Sequence, residues 1–178
     1  PAPQEIRGPW DVAFPGGRDR RAAISIERLM PLETHPDPRI RYFSGTASYS
    51  CQVSIDATRL ANGQRLFLDL GRVESIAELS LNGRDLGTLW KPPFVAEITD
   101  AAKPGTNQIQ IRITGTWRNR LIGHVKFPEG LPDAAGDATP FQPYLTADIK
   151  LRPTEPLSPF GLIGPVRLIE LKTDPADR

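Results

Sequence analysis

The chain has 178 residues, with 22 basic and 21 acidic side chains and a net charge of +1. That balance excludes a general electrostatic attraction to nucleic acid or to an anionic membrane, and no apolar run approaches the roughly 18 residues of a membrane-spanning helix. The single cysteine excludes an intrachain disulfide. Nineteen prolines and 15 glycines among short apolar runs favour one all-β domain over a helical one.

The predicted elements begin with a strand over residues 10–14, which ends at a Pro-Gly-Gly turn. An edge strand follows within residues 22–30, and a long strand is predicted over residues 42–55. In its second half the odd positions are apolar and the even positions are polar, a period of two that places one row on a core and the other in water. Cys51 belongs to the apolar row, so it is interpreted as a buried small hydrophobe rather than a nucleophile.

Residues 64–114 are the stretch around which the other strands are arranged, because three further runs alternate there. The apolar rows are Leu66-Leu68-Leu70, Ala77-Leu79-Leu81 and Ile109-Ile111-Ile113. Asn82-Gly83 separates two strands and predicts a type I′ hairpin, and Lys-Pro-Gly-Thr-Asn at residues 103–107 predicts a second turn. The half-polar strands indicate antiparallel pairing, and we expect a meander of consecutive strands.

The remaining elements complete a β domain. Residues 117–124 leave the last strand of the meander, and a connection over residues 128–143 is long enough to be functional. Residues 162–171 provide the closing strand. Eight or nine short strands predict an antiparallel two-sheet sandwich or jelly roll, with a closed barrel as the alternative. We expect one domain over residues 1–178 with its core at about residues 8–172.

Several motifs in this order resemble the sugar-binding β-sandwich domain of glycoside hydrolase family 2. They are YFSGTASY at residues 42–49, LDLGRV at 68–73, AELSLNG at 77–83 and LGTLWKPPF at 86–94. The version with Trp-Lys-Pro-Pro-Phe and the later Asn-Arg-Leu-Ile-Gly at residues 119–123 is most similar to the C-terminal domain of family 106 α-L-rhamnosidases. The resemblance spans residues 8–171, since GLIGPV at residues 161–166 is similar to the closing strand of the same module.

This resemblance implies a galactose-binding-like jelly roll, excised from a large secreted or periplasmic glycosidase whose catalytic domain lies outside these residues. We expect a non-catalytic accessory domain that binds rhamnose-containing or related polysaccharide. The alternative is a domain that docks on the catalytic domain without binding sugar itself. Relatives carry an acidic residue where His124 stands, which puts the contacts of that carboxylate in question here. Hydrolysis by this fragment alone is not expected, because carboxylates on the polar face of a strand are usually solvated.

A sugar site needs an aromatic plate beside groups that exchange hydrogen bonds with hydroxyls. The candidates stand at predicted strand ends and in the region after the long connection: Trp90, Lys91, Trp117, Arg118, Asn119, Arg120 and Tyr144. Each tryptophan could instead bury area in a core or an interface. Exposure of Trp90 and Phe94 together would favour docking, whereas their burial beside a polar groove at Trp117 would favour binding.

A metal site is the last candidate. Three acidic residues around the long connection are candidate oxygen ligands for a structural Ca²⁺, which related jelly rolls often carry: Asp133, Asp137 and Asp148. His35 and His124 are far apart in sequence and lack the ligand spacing of a zinc site.

Overall fold

The computed structural model describes residues 3–15, 23–61, 63–132, 138–139 and 151–172. The strands in this part of the chain are β1 (Gln4–Glu5), β2 (Trp10–Ala13), β3 (Ile24–Ile26), β4 (Thr46–Ile55), β5 (Gln64–Asp69), β6 (Arg72–Glu74), β7 (Ile76–Leu81), β8 (Arg84–Leu89), β9 (Val95–Glu97), β10 (Gly105–Thr114), β11 (Leu131–Pro132), β12 (Ala138–Thr139), β13 (Gly161–Gly164) and β14 (Arg167–Lys172). Two helices are α1 (Pro38–Arg41) and α2 (Arg118–Lys126), and single 3₁₀ turns cover Leu32–Thr34 and Ala57–Leu60.

Two antiparallel sheets enclose the core. The larger sheet has the strand order β3-β2-β4-β10-β7-β8, and the smaller has the order β1-β14-β5-β9. Short pairs form between β6 and β13 and between β11 and β12. Buried side chains of both large sheets belong to one continuous hydrophobic cluster. The predicted all-β, antiparallel two-sheet sandwich is therefore confirmed.

The alternating patterns have the structural meaning that the sequence predicts. In β4, the side chains from Ala47 to Ile55 alternate between buried odd positions and half-buried or exposed even positions. In β10, Ile109 lies opposite Cys51 of β4 and Leu81 of β7, and all three are buried. Burying one such aliphatic side chain stabilises a fold by about 1.5–3 kcal/mol, so the paired rows of the central strands supply much of the driving force.

The predicted meander is wrong in its connectivity. Strand β5 belongs to the smaller sheet and pairs with β9, whereas β7 and β8 belong to the larger sheet. Strand β10 lies between β4 and β7 and does not pair with β9. An alternating pattern shows which face of a strand is buried, but it does not identify the strand's partner.

Three further elements differ from the sequence prediction. The strand predicted over residues 42–55 begins only at Thr46, since Tyr42 is the C-cap of helix α1. The closing strand is split into β13 and β14 at Pro165, which has no N–H for a ladder, and the register with β6 shifts between Leu162 and Gly164. Residues 117–124 leave β10 as the N-terminal part of helix α2 rather than as an extended exit. No helix among the described residues is long and apolar enough to cross a membrane.

One end of the sandwich is closed by reciprocal hydrogen bonds. The predicted hairpin joins β7 and β8, with positive φ at Asn82 (53°) and at Gly83 (81°). The side chain of Asn107 is fully buried; its Nδ2 donates to the carbonyls of Lys103 and Gly105, and its Oδ1 accepts from the amide of Lys103 and from Asn82 Nδ2. The two predicted turns are thus joined by hydrogen bonds, and the polar atoms of the Asn107 side chain at this end are satisfied.

Candidate functional site

The other end of the sandwich contains the segment in which the chain crosses from one sheet to the other. Strand β8 ends at Leu89, and the next four residues, Trp-Lys-Pro-Pro, lead to β9 in the smaller sheet. Two successive prolines cannot donate to a ladder, which ends the pairing of β8. Phe94 anchors the far side of the crossing, because its side chain is buried and its carbonyl accepts from the amide of Leu70 at 2.8 Å.

Trp90 is left outside the core by the register of the larger sheet. Leu89 lies opposite Ala77, and Thr114 lies opposite Ile76, so Trp90 follows in the row of Ile76 and Thr114. Ile76 points outwards and is 41% exposed, and Trp90 is 67% exposed. An indole with two thirds of its surface in water, on a rigid strand end, is an available plate for a ligand.

Lys91 gives this plate a charged neighbour. Its Nζ lies 5.0 Å from the centroid of the Trp90 ring, within the range of a cation–π contact. The contact holds the ammonium beside the ring and leaves its N–H groups able to donate to a ligand hydroxyl or carboxylate.

An open cleft of about 540 Å³ lies below Trp90, between the sheet-crossing segment and the segment around β6. Its polar lining includes Asp69, Arg72, Glu74 and Ser75, while Phe94, Val73 and the two prolines supply apolar walls. Asp69 Oδ1 accepts from the amide of Gly71 at 2.8 Å, and the Arg72 guanidinium holds Glu74 at 2.9 Å. The cleft is open to solvent, and it combines apolar walls with a few fixed polar groups, as ligand sites do.

Trp117 is a second exposed aromatic residue at this end. It precedes helix α2, and 69% of its surface is exposed. The chain before it is fixed by hydrogen bonds from Gly115 N to the Gly45 carbonyl and from Ser44 Oγ to the Thr116 carbonyl. In contrast, Trp10 is 1% exposed and lies in the core.

Asn119 has a structural role in the described chain. It is only 4% exposed; its Nδ2 donates to the carbonyl of Ser158 at 2.8 Å, and its Oδ1 accepts from the amide of Ser158 at 2.8 Å. Both functional groups of the amide are therefore occupied by one backbone residue. Asn119 fixes the start of α2 against the segment that leads to β13, and we assign it no contact with a ligand.

The other predicted polar residues of this region also lie on α2. Arg118 Nη2 is 3.4 Å from the Glu155 carboxylate, and this pair is partly exposed. Arg120 is half-buried on the same turn. His124 is half-buried in the last turn of the helix. Arg118 directly follows Trp117 in sequence, and its guanidinium is paired with the Glu155 carboxylate.

Four of the predicted site residues lie outside the described residues: Tyr144 and the calcium candidates Asp133, Asp137 and Asp148. Within the described residues, no group of three or more His, Cys, Asp or Glu side chains comes together as a metal site. Cys51 is buried, as the sequence indicates, and burial raises the pKa of its thiol to about 12.

Sequence reasoning missed the polar floor of the cleft. Asp69 and Arg72 stand in a motif whose alternation indicates only a strand, and nothing in the local pattern shows that the sheet-crossing segment packs over them. A signal did exist in the Arg-x-Glu spacing of Arg72 and Glu74, which places two side chains on the same face of a strand where they can form an ion pair.

Comparison with known proteins relates this sandwich to glycoside hydrolases. The chain matches no protein-family profile. A solved rhamnosidase from Novosphingobium sp. PP1Y is 38% identical, with a TM-score of 0.76 over 96% of this chain and 15% of that chain. A protein of Formosa agariphila, provisionally named a beta-glucuronidase, is 40% identical over 128 residues, which are 72% of this chain and 11% of that protein.

More distant structures share the fold alone. A beta-glucuronidase from Ruminococcus gnavus is 19% identical, with a TM-score of 0.55 over 64% of this chain and 22% of that chain. A beta-glucuronidase from an uncultured Clostridium is 21% identical with a TM-score of 0.54. The chain is thus a β-sandwich of a kind found in glycoside hydrolases, and it spans less than a sixth of the rhamnosidase and of the Formosa protein.

Proposed function

We propose that this chain is a non-catalytic, carbohydrate-binding accessory domain of a larger glycoside hydrolase. The observation that carries the proposal is the pairing of Trp90, two thirds exposed, with Lys91 at the mouth of a cleft floored by Asp69, Arg72 and Glu74. An indole covers the C–H face of a pyranose, and carboxylate and guanidinium groups exchange hydrogen bonds with its hydroxyls. The predicted sugar-binding residues that remain in this proposal are Trp90, Lys91, Trp117, Arg118 and Arg120.

The parent enzyme in this proposal is α-L-rhamnosidase-like and acts on polysaccharide in the periplasm or outside the cell. Support comes from the 38% identity to the rhamnosidase over 96% of this chain. The carboxylates of the cleft already hold local structure, since Asp69 accepts from a backbone amide and Glu74 binds Arg72. That arrangement supports ligand binding in the cleft rather than the two-carboxylate chemistry of a glycosidase.

Affinity electrophoresis of the 178-residue chain tests the proposal. The gels contain rhamnose-rich, galactose-rich or uronic-acid polysaccharide, with and without calcium. We expect retardation in at least one neutral gel, and its loss in Trp90→Ala. Leu171→Ala is the matched control, because it truncates another exposed apolar side chain in the smaller sheet. Equal mobility of the chain in every gel would overturn the proposal.

A second candidate function is docking on the catalytic domain of the same parent chain. It is favoured by Ile76, Trp90 and Trp117, three of the four exposed large hydrophobic residues of the described chain, which all lie at one end of the larger sheet. The relatives contain several times more protein than this chain, so each has further parts against which such a surface can pack. Phe94 is buried, so the condition for docking, exposure of both Trp90 and Phe94, is only half met.

The two candidates differ in a competition experiment. If the domain docks, the separately produced catalytic part of the parent binds the chain in size-exclusion chromatography, and a double Trp90→Ala, Trp117→Ala variant no longer co-elutes. Soluble polysaccharide does not displace such a partner. If the domain binds sugar, the polysaccharide binds with or without the catalytic part present.

A further inference from the structure

The cleft beside Trp90 does not account for Trp117. Both rings are about equally exposed, at 67% and 69%. The fold leaves the large apolar surface of both indoles in water, although it buries Trp10. No ring–ring contact among the described residues joins the two tryptophans. They are therefore separate plates that do not cover each other.

The register of the larger sheet sets an upper limit on the distance between the two tryptophans. Strands β8 and β10 both run antiparallel to β7, so both end on the same side, with Trp90 and Thr114 in one row on either side of Ile76. Two strand spacings place the backbones of Trp90 and Thr114 about 10 Å apart. Trp117 follows Thr114 by three residues, which add at most about 10 Å. The backbones of Trp90 and Trp117 therefore lie no more than about 20 Å apart, a span that a short oligosaccharide can cover.

Three guanidinium groups at this end are paired with carboxylates, while the Lys91 ammonium contacts the Trp90 ring. Arg72 is 2.9 Å from Glu74, Arg112 is 2.9 Å from Glu78, and Arg118 is 3.4 Å from Glu155. The pair of Arg112 and Glu78 stands in the row next to Ile76, directly beside the path between the two plates. Paired guanidinium and carboxylate groups both donate to and accept from hydroxyls, but they present little net field to a polyanion.

We infer that this end of the sandwich binds a neutral, linear oligosaccharide that lies across Trp90 and Trp117 together, with the Arg112–Glu78 pair facing its middle. The inference rests on the proposed carbohydrate-binding function and adds the ligand class, a chain rather than a terminal sugar. Trp90 and its cleft hold one end of the oligosaccharide, and Trp117 holds a sugar further along.

Isothermal titration calorimetry with a size ladder tests the inference. The probes are rhamnose and its linear oligomers up to the hexasaccharide, a matching ladder of galactose oligomers, and an oligogalacturonate as the anionic probe. We expect affinity to rise by about tenfold at the length that reaches the second plate, since one stacked aromatic contributes roughly that factor, and then to level off.

The two tryptophans have different signatures in this experiment. In Trp117→Ala, we expect the affinity no longer to rise with oligosaccharide length, while the affinity for the shortest oligomer that binds is unchanged. Trp90→Ala weakens every oligomer by about tenfold, and the double variant weakens the hexasaccharide by about a hundredfold, because well-separated sites add in free energy. Leu171→Ala controls for truncation of an exposed apolar side chain and leaves the ladder unchanged.

The outcomes separate the inference from the proposed function. Affinity that is independent of length, or a Trp117→Ala variant that binds the hexasaccharide normally, overturns the inference and leaves binding at Trp90 intact. Tighter binding of the oligogalacturonate with a steep salt dependence overturns the neutral ligand class. Absence of binding to all three probes overturns the proposed function, and the inference fails with it.

Discussion

Replacing Asn119 by alanine separates a structural role from a binding role at the start of α2. The side chain makes two hydrogen bonds of 2.8 Å to the backbone of Ser158, and the residue is only 4% exposed. Each such bond contributes about 1–1.5 kcal/mol net, and its loss leaves a partly buried N–H and carbonyl to find water. We therefore expect Asn119→Ala to lower the free energy of unfolding by about 2–3 kcal/mol.

Thermal and urea unfolding followed by circular dichroism measure this loss. For a chain of this size, 1 kcal/mol corresponds to about 2–4 °C, so the midpoint temperature is expected to fall by about 4–12 °C. The urea midpoint falls by about 1 M or more at an unchanged slope. Gln110→Ala is the control, because that exposed amide makes a single hydrogen bond of 3.4 Å to Ser48 and its loss is expected to change stability by less than about 0.5 kcal/mol.

Glycan binding by the same variant completes the test. At a temperature where Asn119→Ala is still folded, we expect its affinity for the polysaccharide retarded in the gels to equal that of the original chain. Unchanged stability together with lost binding would refute the reasoning, because it would mean that the Asn119 amide serves a ligand and not Ser158.

Three further outcomes follow from single contacts. Cys51 is expected to resist a thiol reagent at pH 8 in the folded chain and to react on unfolding, because burial raises its pKa to about 12; fast labelling of the native protein would contradict this. The hydrogen bond from Arg39 lowers the pKa of the Asp37 carboxyl in the folded chain. The ionised carboxyl therefore stabilises the fold above the unfolded-state pKa near 3.8, and this stabilisation is lost as the pH falls through the lower folded-state pKa. Asp37→Asn, which keeps an N-cap acceptor, should therefore be less stable at pH 7 by about 1 kcal/mol, with a smaller difference from the original chain at pH 2, measured by urea unfolding. Gly123→Ala places a Cβ 2.9 Å from Tyr42 Cβ; we expect a loss of about 1–3 kcal/mol in the same assay, and an unchanged midpoint would show that α2 shifts freely.

The strand pattern was predictable because it depends on neighbours in sequence. The apolar row of β4, the buried isoleucines of β10 and the Asn82-Gly83 hairpin all follow from local rules, and the structure confirms them. The choice of sheet was not predictable in the same way. Strands β5 and β7 carry nearly the same pattern and are six residues apart, yet they lie in opposite sheets, because the turn at Gly71 and the short strand β6 carry the chain across the core.

Helix α2 shows a second limit of local reasoning. It has nine residues, and its N-cap makes no side-chain hydrogen bond, so its own sequence gives it little stability. What holds it is tertiary: Asn119 binds Ser158, and Ile122 packs on Tyr42. Both partners are distant in sequence, and no spacing within the helix reveals them.

The exposure of Trp90 was hidden by an irregularity in the hairpin. Strands β7 and β8 are out of step between Glu78 and Ser80, so the inward and outward positions of β8 cannot be counted from the Asn-Gly turn. A shift of one residue exchanges the two faces of a strand. Counting from the turn therefore gives no reliable assignment at Trp90, which stays a predicted site residue.

The contrast between the two ends of the sandwich supports the proposed site at the Trp90 end. At the Asn82 end, polar side chains satisfy one another, with Asn107 making four hydrogen bonds, and little is left for a ligand. At the Trp90 end, the chain exposes two indoles and Ile76 beside a cleft. A fold that had only to be stable would gain by burying these side chains, at about 1.5–3 kcal/mol for each large apolar group. Their exposure at strand and helix ends fits the binding surface that we propose, for a glycan or, in the second candidate function, for another domain.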